Sequence, residues 1–319
     1  MNGRILDMSD FSRATICNDK PNFIPAAAAL INDATSADAG YRENCSIPEG
    51  VILFFSFDVV SSTQFKAQHK ENWFNTFKET FNWIRDVIRN RIKSARLWKG
   101  LGDELVYYIE LTDPSTVPEY VGMIFETLQV ICAEGVSRKG GLLLKGAAWL
   151  AVVDNQDERH PGMDFNISDL FTNDDGSTRI VEFYGPDIDT GFRIAKLTKE
   201  AQLVLSFELA QMLMSYSDYR DNVLIVTFEK LKGVWDGNPY PIIWYYDRQL
   251  FEGRDFMDSH SFAIMQNDDN FPEYFKTLHF LSNASLKKCM DEIEERMNLR
   301  RKMKYYFDPE HYKKFRAID

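Results

Sequence analysis

The sequence is poor in the residues that build metal clusters and covalent cross-links. Its four cysteines, Cys17, Cys45, Cys132 and Cys289, show no CxxC spacing. That excludes a zinc ribbon or a disulfide framework and predicts reduced thiols in a cytoplasmic protein. Five histidines lie far apart with no HxxxH pair, so a zinc site is not expected. No apolar run approaches the length of a membrane span, and the start MNGRILDMSD lacks the apolar core of a leader. Positive charge is also short, with 37 Lys and Arg against 48 Asp and Glu, a net of −11. A nucleic-acid groove is therefore not expected, although a local basic pocket is compatible with that balance. There is no internal repeat, and 319 residues exceed one typical domain and fall short of three.

What is present centres on Val51–Thr63, VILFFSFDVVSST. Val51–Phe57 is nearly all apolar, β-branched or aromatic and reads as a buried strand. It runs into Asp58, a carboxylate that is costly at the end of a buried strand unless something such as a divalent cation pairs it. Ser61-Ser62-Thr63 suits the N-cap of a following helix, whose free backbone N–H groups can cradle phosphates.

Residues 1–46 carry little periodicity and read as an N-terminal extension. Apolar residues recur over Gln64–Lys93, and from Phe74 onward their spacing of three and four defines one face of a long amphipathic helix. Ala95–Trp98 and Glu104–Leu111 read as strands around Lys99–Asp103, a tight turn whose two glycines supply positive φ. A helix over Val117–Val136 and a buried strand over Gly141–Val153 follow. Asp154–Thr178 is acidic, lacks EF-hand spacing and reads as a surface insertion. A strand at Arg179–Phe183 precedes a helix from Asp187 to about Ala201, a strand Leu203–Ser206 and a helix Phe207–Tyr216. Val223–Lys232 and Pro241–Tyr246 close the 47–247 domain as a hairpin. Residues 248–319 form a C-terminal extension, helical over Leu286–Lys304.

This order over 51–183 predicts an α+β, ferredoxin-like (split βαβ) fold. The strand at Ala95 then runs parallel to that at Val51, and the returning strand from Glu104 inserts beside the one at Val51. Asp103, at the hairpin tip, is brought to the end of the sheet where Asp58 lies. Two carboxylates beside a phosphate-cradling loop match a two-metal phosphoryl-transfer centre.

At these residues the chain resembles the class III nucleotidyl cyclases. FDVVSST resembles their first metal motif and KGLGDEL their hairpin motif with the second metal aspartate. EFYGPDIDTGFRIAK resembles the transition-state motif, and LKGV followed by Pro241–Tyr246 the closing phosphate-lysine hairpin. The resemblance covers roughly 47–247. It implies that Asp58, Asp103 and the Val59 carbonyl hold two divalent cations, Mg²⁺ or Mn²⁺. Val60, Ser61, Ser62 and Thr63 would form the phosphate loop, and Lys99 with Glu182 would read the base. Arg193 would stabilise the transition state and Lys232 would bind polyphosphate; Asp189 stands where the family usually has Asn. It also implies a head-to-tail homodimer, one subunit giving the aspartates and its partner the base readers, Arg193 and Lys232.

The family reaction is attack of the ribose 3′-OH on the α-phosphate of a nucleoside triphosphate, releasing pyrophosphate. Several departures set this chain apart: Asp189, the missing GxHxG pattern after Gly146, and the tryptophans Trp98 and Trp149, read as walls narrowing the base pocket. With the flanking extensions they make it resemble most the Pycsar pyrimidine cyclases of bacterial anti-phage defence. That implies UTP as substrate and cyclic UMP acting on a separate effector. A cytidylate cyclase, an adenylate cyclase and an inactive nucleotide-binding domain are the alternatives. A diguanylate cyclase, echoed by Gly102-Asp103-Glu104, is opposed by the missing first glycine of its motif.

Overall fold

The computed structural model describes residues 48–69, 72–137, 142–154, 166–172, 179–246 and 283–313, all within the compact unit Tyr41–Asp319. The expectations for the N-terminal extension fall outside the described residues.

β1 (Gly50–Val59) is buried throughout except at Asp58, as its apolar run requires. Two helices follow over the stretch, the short α1 (Ser62–Gln68) and α2 (Trp73–Arg91), the latter matching the amphipathic spacing from Phe74 onward. Phe65 stacks on His69 at 4.2 Å and meets Phe77 at 5.6 Å, so apolar residues of both helices meet at the corner. β2 (Arg96–Leu101) and β3 (Glu104–Glu110) form the expected hairpin with a shorter turn. Lys99 and Gly100 pair within the strand, and of the two turn glycines only Gly102 takes positive φ, at 72°. A register shift between Leu97 and Lys99 marks a bulge at Trp98. α3 (Val117–Ser137) is led in by Asp113, whose carboxylate accepts from Ser115 N–H at 2.8 Å.

β4 (Leu144–Asp154) returns antiparallel to β1. The acidic region read wholly as a surface insertion contains β5 (Asn166–Thr172), antiparallel to β6 (Arg179–Tyr184). Its anchors are polar and leave no apolar signature: buried Ser168 donates to Pro48 C=O, and buried Asn166 donates to Asp187. α4 spans Pro186–Ile194 and gives way to a 3₁₀ turn at Ala195–Leu197, short of Ala201. β7 (Leu203–Leu205), α5 (Phe207–Leu213), β8 (Val223–Glu229) and β9 (Tyr240–Tyr245) complete the core.

The described strands form one nine-stranded sheet in the order β2-β3-β1-β4-β7-β9-β8, with β5 and β6 attached at β4. The first four positions are the split βαβ arrangement, antiparallel throughout. Side chains alternate between the faces of β1. Phe57 lies toward α3, where a Cβ on neighbouring Gly146 would meet both Phe57 and Leu128. Phe54 lies on the other face, stacked at 5.6 Å on Trp149, which is pressed by α4. Asp58 shares the Phe54 face, because residues two apart in a strand point the same way.

The helix expected over Leu286–Lys304 is two, α6 (Asn283–Arg296) and α7 (Arg300–Phe307), broken where Asn298 adopts φ 54°. α8 (Glu310–Lys313) follows and packs near β1. α6 and α7 roof α5, all seven of whose residues are buried, Glu208 and Gln211 included. Gln211 donates to Asp291 and Glu294 of α6 at 2.8 and 2.6 Å, and Lys302 of α7 pairs with Glu208 at 2.9 Å. The C-terminal region thus supplies the partners that let polar residues of the core stay buried.

Candidate active site

The site begins where β1 and β3 end together. Asp58 stands opposite Glu104, and Val59 N–H donates to the carbonyl of Asp103 at 3.2 Å, tying the hairpin tip to the strand end. On its other side Asp58 stands opposite Lys145 of β4, whose Nζ lies 3.1 Å from its Oδ2. Burial pushes the Asp58 carboxyl above the usual range; Lys145 draws it back, and the charge of Asp103 raises it again. Glu104 is raised in the same way, chiefly by burial, with a Ser56 hydrogen bond opposing and the Asp58 charge adding. Its Oε1 is buried without a hydrogen-bond partner.

Among the described residues no group of three or more His, Cys, Asp or Glu side chains is placed to hold a metal ion. Asp58 and Asp103 nonetheless fit a particular kind of cation. Their donors are hard oxygens, and their mutual repulsion is what a cation relieves. Magnesium is commonly bound by one or two carboxylates, with water and substrate phosphates completing the shell. The fit is to a cation that brings its own phosphate ligands.

The phosphate loop departs from expectation. Ser61 takes the N-cap position in the left-handed region, φ 55°, and its side chain makes no cap bond. Val60 N–H is taken by the Leu143 carbonyl at 2.8 Å, so Val60 is no donor to a ligand. The cradle is reduced to the N–H groups of the first helical turn, from Ser61, Ser62 and Thr63.

Lys99 and Glu182 come together across a separation of 83 residues, Nζ to Oε2 at 2.6 Å. The ammonium also lies 3.9 Å from the Trp98 ring centroid, and Trp98 Nε1 donates to Val181 C=O at 2.9 Å. Two adjacent residues of β2 are thereby held by two adjacent residues of β6. Trp149 is a different matter: it is fully buried, and a Cβ on Gly191 would fall 2.2 Å from its ring. It is the floor on which α4 rests, not a wall of a base pocket, which corrects the expectation for that residue.

Arg193 ends α4, with its Nε buried and unpartnered. One Nη lies 3.7 Å from where a Cβ on Gly233 would be, so the arginine and the turn holding exposed Lys232 meet within one chain. Asp189 is exposed one turn earlier, and no ion pair joins it to Arg193. The carboxylate anchored on α4 is Asp187. Buried, it receives Asn166 Nδ2 at 2.7 Å, Tyr306 Oη at 3.0 Å and the Lys302 ammonium.

Sequence reasoning missed Glu104, Lys145 and the Asp187–Glu208–Lys302 group. Lys145 carried a signal: it is the lone charge in an apolar run, LLLKGAAWLAVV. Lys302 carried none, because its partners lie 115 and 94 residues away.

No protein-family profile and no curated protein matches the sequence. Solved structures similar to it include the guanylate cyclase domain of RhGC from Catenaria anguillulae, in complex with GTP. That match is at 12% identity and TM-score 0.46, covering 64% of this chain and 98% of that one. The adenylyl cyclase CyaB from P. aeruginosa is similar at 11% identity and TM-score 0.46, covering 64% and 97%. An adenylate cyclase from Trypanosoma brucei, solved in its monomeric state, is similar at 13% identity and TM-score 0.44, covering 64% and 91%.

Proposed function

We propose that this chain is a nucleotidyl cyclase, converting a nucleoside triphosphate to a 3′,5′-cyclic nucleotide and pyrophosphate. The observation that carries the reading is the convergence of Asp58 and Asp103 at one sheet end, tied by the Val59–Asp103 backbone bond at 3.2 Å. Asp58 and Asp103, with the Val59 carbonyl, would hold Mg²⁺ or Mn²⁺. Divalent cations bound there supply charge neutralisation on the triphosphate and Lewis-acid polarisation at its α-phosphate. Arg193, in the last turn of α4 with its Nη beside the Gly233 turn, would meet charge developing on the α-phosphate in the transition state. Lys232 beside it neutralises the leaving pyrophosphate. Lys99, held by Glu182, presents a fixed donor and acceptor pair to the base edge. The reading includes a head-to-tail homodimer in which Asp58 and Arg193 of one site come from different subunits.

For the base we propose UTP, with cyclic UMP acting on a separate effector in anti-phage defence. Its support is the resemblance of the motifs and their departures, together with Trp98 packed beneath Lys99. Trp149 is fully buried and Trp98 is 6% exposed, packed on Phe54 and Phe183, so what bears on the base is the Lys99 ammonium held over the Trp98 ring and not two tryptophan walls. The test is pyrophosphate release with each of the four triphosphates, products identified by mass spectrometry, for the wild type and Asp58→Ala. We expect cyclic UMP to dominate and Asp58→Ala to be inactive yet folded. Cyclic AMP as main product would reject the base assignment; no cyclic product with any triphosphate would reject the enzyme reading.

A further inference from the structure

Lys145 has no part in the chemistry above, yet it sits at its centre. It interrupts β4, whose residues from Gly146 to Val153 are all buried. A charge in such a strand costs stability unless it is paired. The register pairs it: Glu104, Asp58 and Lys145 lie side by side on β3, β1 and β4. The Lys145 ammonium is 3.1 Å from Asp58 Oδ2, with side-chain exposures of 20% and 27%. In the chain alone, the lysine therefore occupies part of the coordination space of a carboxylate needed for the cation.

We propose that Lys145 is a built-in counter-ion that a cation must displace from Asp58, so that the site loads a cation with its polyphosphate in preference to a bare cation. This rests on the cyclase reading. A bare divalent ion at Asp58 and Asp103 meets a fixed positive charge a few ångströms away, and the lysine it displaces loses its partner. A cation carried on a polyphosphate brings anionic oxygens within reach of the displaced ammonium. The four-carbon lysine stem lets the point charge swing from carboxylate to phosphate, which a planar, stiffer group does less readily. Lys145 then acts as a positioning residue for Asp58 and afterwards as a polyphosphate ligand.

The experiment measures Mn²⁺ binding by calorimetry and electron paramagnetic resonance, with no nucleotide present, in the wild type, Lys145→Met, Lys145→Arg and Asp58→Asn. Each is titrated with and without inorganic tripolyphosphate, which makes the result independent of the base. Lys145→Met should bind bare Mn²⁺ about tenfold or more tightly than the wild type, from repulsion between a unit and a divalent charge at ~4 Å even in a water-like medium. Lys145→Arg should stay close to the wild type. With tripolyphosphate the order should reverse, the wild type binding more tightly than Lys145→Met. Lys145→Gln carries the same expectation should Lys145→Met fail to fold. Equal affinity of the wild type and Lys145→Met for bare Mn²⁺ overturns the proposal. If Asp58→Asn then abolishes binding, the metal site stands and the role of Lys145 alone is lost. No Mn²⁺ binding by any form, even with tripolyphosphate, overturns both.

Discussion

Replacing Lys302 by Met tests whether the C-terminal helices belong to the core built on the sheet or merely follow it. The ammonium lies between Asp187 and Glu208, whose side chains are only 7% and 4% exposed. Asp187 would keep Asn166 and Tyr306 as donors, at 2.7 and 3.0 Å. Glu208 would lose the ammonium 2.9 Å away, so the penalty falls mainly there. Removing one partner of a buried ion pair costs about 3–5 kcal/mol, because a charge is left without water or a counter-ion. At ~2–4 °C per kcal/mol, the melting temperature should fall by roughly 6–20 °C. Arg300→Met is the control on the same helix, since Arg300 pairs with Glu295 at 3.3 Å with both side chains about two-thirds exposed. Such a surface pair is worth about 0–1 kcal/mol. Urea unfolding followed by tryptophan fluorescence measures both. Adding Glu208→Gln to Lys302→Met should recover part of the loss, because no charge is then stranded at position 208. If Lys302→Met costs no more than Arg300→Met, the buried network does not hold the C-terminal helices to the core, and the reasoning fails.

Gly191→Ala should drive a methyl into the Trp149 ring, where the Cβ would lie 2.2 Å away, and cost ~1–3 kcal/mol by overpacking. A calorimetric scan matching the wild type would show that α4 does not rest on Trp149 in this way. Burial pushes the Cys132 thiol up to about 11 and the Cys289 thiol up to about 12, from 9.0. Both therefore favour the neutral, folded form below pH 9, and the stability they contribute is lost as pH rises from 9 through 11 and 12. Peptide mapping after iodoacetamide at pH 8 should find both unmodified in folded protein; rapid alkylation of either would contradict its burial. Finally, Asp58→Ala and Arg193→Ala should each be nearly inactive alone. In the proposed head-to-tail dimer, mixing and exchange should restore roughly a quarter of wild-type activity, since half the dimers would be mixed and each would hold one intact site. Confirmed subunit exchange without recovery would mean that each chain assembles its own site.

The central strand, the hairpin and the meeting of Asp58 with Asp103 were legible in the sequence. Each depends on short-range periodicity plus one topological rule, and the pairing of Asp58 with Glu104 satisfies both. The closing hairpin of β8 and β9 was legible for the same reason. β5 was not, because it is anchored by the buried polar groups of Asn166 and Ser168 within an acidic stretch. The break between α1 and α2 falls where the apolar spacing lapses, Phe65 and Trp73 being separated by the largely polar Lys66–Asn72, and Phe65 stacks on His69 at that corner.

The residues of the site divide along the same line. Sequence alone nominated Asp58, Asp103 and Arg193 as candidates, because a carboxylate after a buried strand or a glycine before an arginine-bearing helix is a local statement. Tertiary structure alone decided what each of them faces. It set Lys145 against Asp58 and Lys99 against Glu182, buried Trp149 under Gly191, and made Asp187 the anchored carboxylate while leaving Asp189 in solvent. The physical reason is that a charge's partner is chosen by strand register and helix docking over separations of tens to more than a hundred residues. At such separations no periodicity in the sequence records the contact.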